Sequence, residues 1–568
     1  MENTITIVLS GEAGQGIKTV EKLFVHSLKE EKLHFFSTSE VMSRVRGGNN
    51  TTEIRIGSPS IQSYKESIDV LIVLGKNGTE RVEHRLHKDS KIIGEEKNIP
   101  ESVATSFSTT YVPFKDIAIE AGNPVLTNTV ILGYLFGILK LQQKIGKEQL
   151  HKTFKEKEEK IISQNIEAFN SGYTIGTESV IEIELPRTST SDSIILNGTQ
   201  AIGLGAIAGG CNFMAAYPMS PGTGVLEFLA HQAETFGIVV EQAEDEIAAI
   251  NMTLGSWYAG GRAMTTTSGG GFALMEEGVS LSGMTEVPSV IHIGMRPGPA
   301  TGLPTRTEQG DLMLAVCAGH GEFPKIVLAP GSPNECIHIT QKAFNLAATY
   351  RVPVIILSDQ FLLDSLTLTD KPDFSKMPAT EKHITKTKKD FKTYEITDNG
   401  ISPRGIPGYG NGFVCVDSDE HDETGRITED ADVRIAMVEK RLTKNELITQ
   451  QAIKPTIIGD THFSTLIISW GSTYGVIAEA LENKKIKGLA YAHFSQVFPL
   501  PDITQKLTEQ AKRIVVIENN ASGQFAKLIQ MELGIPIHEN ILQYNGFPFS
   551  IEYITSVIDS ELSHISKK

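Results

Sequence analysis

Cysteine is scarce: Cys211, Cys317, Cys336 and Cys415 are the only four in 568 residues. They stand too far apart to supply the paired thiolates of an iron–sulfur cluster or a four-sulfur zinc site, so any redox cluster must belong to another chain. Positive charge is also short. The 52 Lys and Arg against 68 Asp and Glu leave a net charge of −16, which argues against nucleic acid as a partner, although a local basic patch can still hold an anion. No apolar run approaches the roughly 18 residues of a membrane span. The stretch from Met1 into Ile5–Leu9 lacks the basic start and cleavage pattern of a secretory signal. These absences predict a protein of the reducing cytoplasm, with no membrane and no protein-borne metal. What the chain has is core-forming material: 40% of it is hydrophobic and only 21% charged. That excludes disorder and small disulfide scaffolds, and leaves room for three or four domains of about 150 residues each.

Hydrophobic periodicity divides the chain. An apolar strand at residues 5–10 runs into a glycine-rich turn and then a helix over Ile17–Glu30. Strands follow at Thr52–Ile56, Val70–Leu74 and Lys91–Ile93, then a charged helix around Leu150–Ile162. This first α/β domain is assigned to residues 1–185. The segment Pro186–Ser193 reads as a polar linker. A second domain, residues 195–450, carries strands at Val239–Glu241, Arg262–Thr266, Val290–Ile293, Lys325–Leu328 and Val352–Leu357. This is the spacing of a doubly wound parallel sheet with ligand loops at the strand ends. Residues 370–432 break the pattern as a long irregular excursion, which either serves function or covers an interface. Residues 455–568 read as a smaller α/β domain able to stand alone.

Six segments have site-like chemistry. Gly11, Gly14 and Gly16 lie between strand and helix, where backbone N–H groups can meet a phosphate. Their spacing is neither the dinucleotide nor the Walker pattern, and a purely structural turn is the alternative. Arg44 and Arg46, just ahead of Gly47 and Gly48, suit an anionic ligand or a solvated loop equally. Tyr217-Pro218-Met219-Ser220-Pro221 is a proline-stiffened loop offering a hydroxyl at Ser220. Glu241, Glu244, Asp245 and Glu246 open a helix. An acidic cap accounts for any one of them, while one turned inward can hydrogen-bond a nitrogen heterocycle. It is followed by the hydroxyl- and glycine-rich crossing Thr265–Gly271, which admits a ligand close to backbone. Finally, Arg296 to Arg306, with Thr305, form a stiff loop suited to a carboxylate, or simply a surface loop. No G-x-S-x-G elbow supports a hydrolase. A non-catalytic binding or assembly subunit stays open.

Taken together, these motifs resemble the alpha subunit of the 2-oxoacid:ferredoxin oxidoreductases, in the arrangement with a gamma domain fused ahead of it. The Gly11–Gly16 and Ser43–Asn50 segments look like the gamma part, and Tyr217–Gly224, Glu246, Thr265–Gly271 and Arg296–Arg306 like the thiamine-diphosphate pyrimidine-side domain. Trp470-Gly471-Ser472, His493–Pro499, Glu518-Asn519-Asn520 and Gly523-Gln524 look like a transketolase C-terminal-type domain. The resemblance implies an α/β multidomain fold and a thiamine-diphosphate-dependent enzyme, active only with a beta subunit in an alpha-beta or (alpha-beta)2 assembly. The beta subunit would hold the diphosphate, Mg2+ and the iron–sulfur cluster, with ferredoxin as acceptor and coenzyme A as co-substrate. It implies Glu246 as the carboxylate that meets the aminopyrimidine, with Glu244 as fallback, and Tyr217 and Pro218 beside the cofactor. Arg296 would hold the substrate carboxylate, aided by Thr305 and Ser220, and Gly14, Gly16, Arg44 and Arg46 would handle coenzyme A. Ser220 replaces the family's commoner threonine and Ala13 its commoner glycine. The fused arrangement and the Tyr-Pro-Met-Ser-Pro variant point toward 2-oxoglutarate, with Arg306 or His292 as partner for its second carboxylate. Pyruvate and branched-chain 2-oxoacids are the alternatives.

Overall fold

The computed structural model describes residues 4–12, 14–42, 48–482, 484 and 487–566. Arg44 and Arg46 lie outside them, as does Ala13. The chain forms two units: residues 1–196 with 365–371 and 550–554, and residues 197–364 with 372–549 and 555–568. No helix among the described residues is long and apolar enough to cross a membrane.

The first unit is built on an eight-stranded sheet. Its strand Ile5–Glu12 is buried at all but its last position, pairing in parallel with Ile68–Val73 and antiparallel with Asn49–Gly57. Helix Ile17–Glu30 turns Ile17, Val20, Phe24 and Leu28 inward at helical spacing and leaves most of its charges outside. The expected strands at 52–56, 70–74 and 91–93 fall on Asn49–Gly57, Ile68–Val73 and Leu86–Gly94. The charged helix expected over 150–162 is two helices, Gln143–Phe154 and Glu159–Gly176. Its Lys–Glu run is exposed and has no apolar face to bury, so it forms the break between them.

The sheet does not end at the linker. Ser193–Leu196 pairs with Leu366–Asp370, which in turn pairs with His34–Glu40. Two segments 170 residues apart in sequence therefore cover the edge of the first sheet. This lay beyond periodicity, because a returning strand carries no local mark of its partner.

The second unit holds two sheets. The larger runs Gln496–Phe498, Ile326–Leu328, Pro353–Asp359, Ser289–Met295, Ala263–Thr267, Phe213–Ala216, Val239–Gln242. It is parallel apart from its first strand. The smaller sheet runs Thr456–Gly459, Leu489–Phe494, Thr465–Trp470, Arg513–Glu518, Glu539–Leu542. The C-terminal region does not close a core of its own: Trp470, Phe494 and Phe525 share one buried apolar cluster with Phe272, Met295 and Leu312 of the larger sheet's layer. Gln496–Phe498 also extends the larger sheet's edge beside Ile326–Leu328.

Between Lys371 and Asp430 the chain has only one short 3-10 turn and isolated bridges. Cations of the core hold this excursion down: Arg262 donates to Glu381 O at 2.6 Å and Arg351 to Thr393 O at 3.0 Å. Arg404, from the excursion itself, donates to Trp257 O at 2.5 Å and lies over the Trp257 ring. Helix Ala431–Gln450 then inserts Lys440 and Lys444 against Glu286, all three buried.

Candidate active site

In the larger sheet the chain order is Phe213–Ala216, Val239–Gln242, Ala263–Thr267, Ser289–Met295, while in space Phe213–Ala216 lies between Val239–Gln242 and Ala263–Thr267. Connections leave in opposite directions on either side of that strand, which opens a crevice at the strands' carboxyl ends. The Tyr217–Gly224 loop, the Thr265–Gly271 crossing and the Arg296–Arg306 loop all start at those ends.

Of the four acidic candidates, Glu241 and Glu244 are exposed. Asp245 caps helix Glu246–Tyr258, accepting from Ala248 N at 2.7 Å. Glu246 is 3% exposed, and its Oε1 is buried with no hydrogen-bond partner among the described residues. A buried carboxylate oxygen left unpaired is costly unless a ligand meets it. It packs directly on Gly271, the end of the glycine crossing: a Cβ there would stand 2.4 Å from Glu246 Oε1 and 2.1 Å from Thr267 Oγ1. The orphaned oxygen and the glycine crossing fit a ring nitrogen of an aminopyrimidine.

Tyr217 and Ser220 are exposed and Pro218 half-buried. Gly222 lets their loop press on the neighbouring strand, since a Cβ there would lie 2.6 Å from Thr267 O. The Ser220 backbone carbonyl accepts from Arg296 Nη1 at 2.6 Å. That bond extends the guanidinium across the ends of two strands. Burial lowers the pKa of Arg296, with Asp311 opposing. Thr305 is half-buried in a turn, and Arg306 lies with its guanidinium 4.6 Å from the Phe547 ring centroid.

His292 does not face a ligand carboxylate. It is fully buried, its Nδ1 2.7 Å from Thr266 Oγ1 and its Nε2 2.7 Å from Ser358 Oγ. Burial lowers it to about 3, so it is a neutral cross-link between three strands. Its expected part in binding a second carboxylate is thereby corrected.

Two residues escaped the reading of the sequence. Gln309 knots the Arg296 loop to the C-terminal sheet, donating to Asn519 O at 2.7 Å and to Trp470 O at 2.7 Å and accepting from Asn519 N at 2.8 Å. Asp311 is a largely buried carboxyl beside the glycine crossing. Burial first, then Glu308, push it up to about 6, with Arg296 pulling the other way. The one local signal was an acidic pair, Glu308 and Asp311, closing an arginine loop.

The glycine turn of the first unit has a cleft of about 270 Å3 lined by Gly14, Gln15, Gly16, Lys18 and Ser39 among others. Gly14 and Gly16 have φ of +90° and +71°, and a Cβ on Gly16 would collide with Asn128 Nδ2 at 1.9 Å. The Lys18 side chain is 59% exposed, its Nζ bonded to Glu21 Oε2 at 2.8 Å and Ser39 Oγ at 2.6 Å.

Comparison with known proteins agrees with this geometry. Residues 204–440 match the family model described as pyruvate flavodoxin/ferredoxin oxidoreductase, thiamine diP-binding, and residues 6–175 match that of pyruvate ferredoxin/flavodoxin oxidoreductase. The chain is 31% identical to a 2-oxoacid:ferredoxin oxidoreductase subunit alpha from Sulfolobus sp., covering 95% of this chain and 94% of that one. It is 32% identical to the 2-oxoglutarate synthase subunit KorA of Methanothermobacter marburgensis, over 63% of this chain and 96% of that one. Among solved structures, the 2-oxoglutarate:ferredoxin oxidoreductase from Magnetococcus marinus, with 2-oxoglutarate, coenzyme A and succinyl-CoA bound, superposes with a TM-score of 0.93 at 29% identity, over 99% of this chain and 100% of that one. The unpaired Glu246 carboxylate, the arginine loop beside it and a relative matched end to end converge on one conclusion: the chain belongs to the alpha subunits of the 2-oxoacid:ferredoxin oxidoreductases.

Proposed function

We propose that this chain is the catalytic alpha subunit of an enzyme that converts 2-oxoglutarate and coenzyme A to succinyl-CoA and CO2, passing two electrons to ferredoxin through a cluster-bearing beta subunit. The observation that carries the reading is Glu246 Oε1, buried, unpaired and packed against Gly271 at the end of the glycine crossing. Thiamine diphosphate, when bound, supplies the carbon nucleophile and the electron sink for loss of the carboxylate. Glu246 holds its pyrimidine by a hydrogen bond at a ring nitrogen, with Tyr217 and Pro218 beside it. Arg296 receives the carboxylate of the 2-oxoacid by charge-assisted hydrogen bonds, and Thr305 and Ser220 add neutral donors. The diphosphate, its Mg2+ and the iron–sulfur cluster fall to the beta subunit.

In the first unit, the left-handed glycines, the start of helix Ile17–Glu30 and the exposed Lys18 suit the phosphates of coenzyme A. Arg44 and Arg46 are proposed as further phosphate contacts. The choice of 2-oxoglutarate is supported by the KorA likeness and by the ligands named for the Magnetococcus marinus enzyme.

The test is anaerobic co-purification from the native cells, then coenzyme A-dependent reduction of a viologen dye with 2-oxoglutarate, pyruvate and 2-oxoisovalerate in parallel. A brown partner chain and highest kcat/KM with 2-oxoglutarate are expected. Preference for another 2-oxoacid overturns the substrate, and failure with all three leaves a binding or assembly subunit.

A further inference from the structure

Asp311 ends the loop that begins at Arg296, and its backbone is pinned on both sides. Upstream stands the Gln309 knot. Gln524 spans Asp311, donating to Gly310 O at 2.7 Å and accepting from Met313 N at 2.9 Å. An aspartate just ahead of helix Leu312–Val316 would ordinarily cap it, but this side chain makes no capping bond. It lies instead against the glycine crossing: a Cβ on Gly269 would stand 2.4 Å from Oδ1 and 2.5 Å from Oδ2. Oδ2 is buried and has no hydrogen-bond partner among the described residues. A carboxyl that is immobilised, desolvated and unpaired has no structural occupation, and such a group needs an explanation.

Its charged neighbours supply one. Two act on it, the Arg296 guanidinium and the Glu308 carboxyl. Glu246 faces the same crossing two glycines further on, at Gly271. Arg296 opens the same loop that Asp311 closes and opposes its charge without an ion-pair contact between them among the described residues, and it is also the group read above as receiving the substrate carboxylate. A second anion bound at that guanidinium would favour protonation of the buried carboxyl. We propose that Asp311 is the proton-exchanging counter-ion of Arg296: ionised while the substrate carboxylate is absent, protonated from solvent when that carboxylate binds, and ionised again when the carboxylate leaves as CO2. This rests on the assignment of Arg296 as the substrate's partner. Asp311 acts through Arg296 and is a positioning residue, keeping the charge of the pocket constant through turnover. Its titration near 6 places the linkage in an accessible range.

The test uses the purified complex depleted of thiamine diphosphate, so that 2-oxoglutarate binds without reacting. Titration calorimetry in two buffers of different ionisation enthalpy then counts protons. The wild type is expected to take up close to one proton per site at about pH 7.5 and almost none at about pH 5, where Asp311 already holds one. Asp311→Asn should take up none at either pH. In the dye assay of the holoenzyme, the wild-type KM should rise with pH above about 6, by up to about tenfold per unit, and the variant's should stay flat. Proton uptake by Asp311→Asn equal to the wild type's, or no uptake by the wild type, overturns the proposal. If Asp311→Asn fails to assemble, Asp311→Ser and the wild-type buffer dependence decide. A wild-type complex that binds no 2-oxoacid refutes the substrate reading and this inference with it. Binding without proton uptake refutes only the role of Asp311.

Discussion

Glu244 and Glu246 are two positions apart, and one helical start separates their fates. Asp245 takes the cap, so Glu246 opens the helix facing inward while Glu244 stays in water. Glu246→Gln keeps the shape but cannot act as an anionic acceptor. Dye reduction should fall by about 100- to 10,000-fold with the partner chain still co-purifying, while Glu244→Gln stays near the wild type. Wild-type turnover by Glu246→Gln would refute the assignment. Gly271→Ala tests the crevice itself. Its methyl would press on Glu246 Oε1 and Thr267 Oγ1, and the expected result is at least about a tenfold loss of thiamine diphosphate affinity, read by cofactor titration of the depleted complex. The acidic cluster was legible in the sequence; which member turned inward was not. That choice depends on which oxygen caps the helix and which glycine leaves room.

At the scale of elements, helix Ala431–Gln450 acts as a strap over the excursion. Lys440 and Lys444, on successive turns, both reach Glu286, which sits in the left-handed region at φ +49°. Burial opposes ionisation of Glu286, yet Lys444, Lys440 and Arg351 hold its carboxyl well below the usual range. Glu286→Gln leaves two buried ammonium groups without their counter-charge and should cost about 3–5 kcal/mol, seen as a lowered thermal midpoint of the complex. The pH dependence has a fixed sign. A depressed carboxylate pKa contributes stability in full above the unfolded value of about 4.3, and loses it as pH falls toward the folded value. The wild type should therefore lose thermal stability below about pH 4.5, and Glu286→Gln should lose less over the same interval. A steeper acid loss in the variant would refute the triad's role. The sequence showed an irregular excursion over residues 370–432. It did not show that the lysines were inside, because Lys at helical spacing reads as a solvated face.

At the scale of the whole molecule, the chain is not cut where its composition shifts. The polar linker at 186–193 does precede the second unit, but Leu366–Asp370 returns to lie between His34–Glu40 and Ser193–Leu196. A fragment ending at residue 196 leaves His34–Glu40, with buried Phe35 and Phe36, as an open edge. Such an edge invites pairing with another chain. Size-exclusion chromatography of that fragment should show association or aggregation, and a synthetic peptide of residues 365–371 should reduce it. A monodisperse monomer without the peptide would show that the edge strand is dispensable.

The sequence by itself determined the fold class, the order of the α/β domains and the family, because strand periodicity, glycine turns and short motifs are local properties. It also brought forward Glu246, Arg296 and the glycine crossing, whose chemistry is written in residue type and spacing. Only the tertiary structure decided that His292 is a sealed cross-link, that Gln309 ties the arginine loop to the C-terminal sheet, and that Asp311 stands buried and unpaired. Burial and hydrogen-bond partnership are set by residues far away in the chain. Gln309 meets Asn519 across an |i−j| of 210, and no local pattern encodes that meeting.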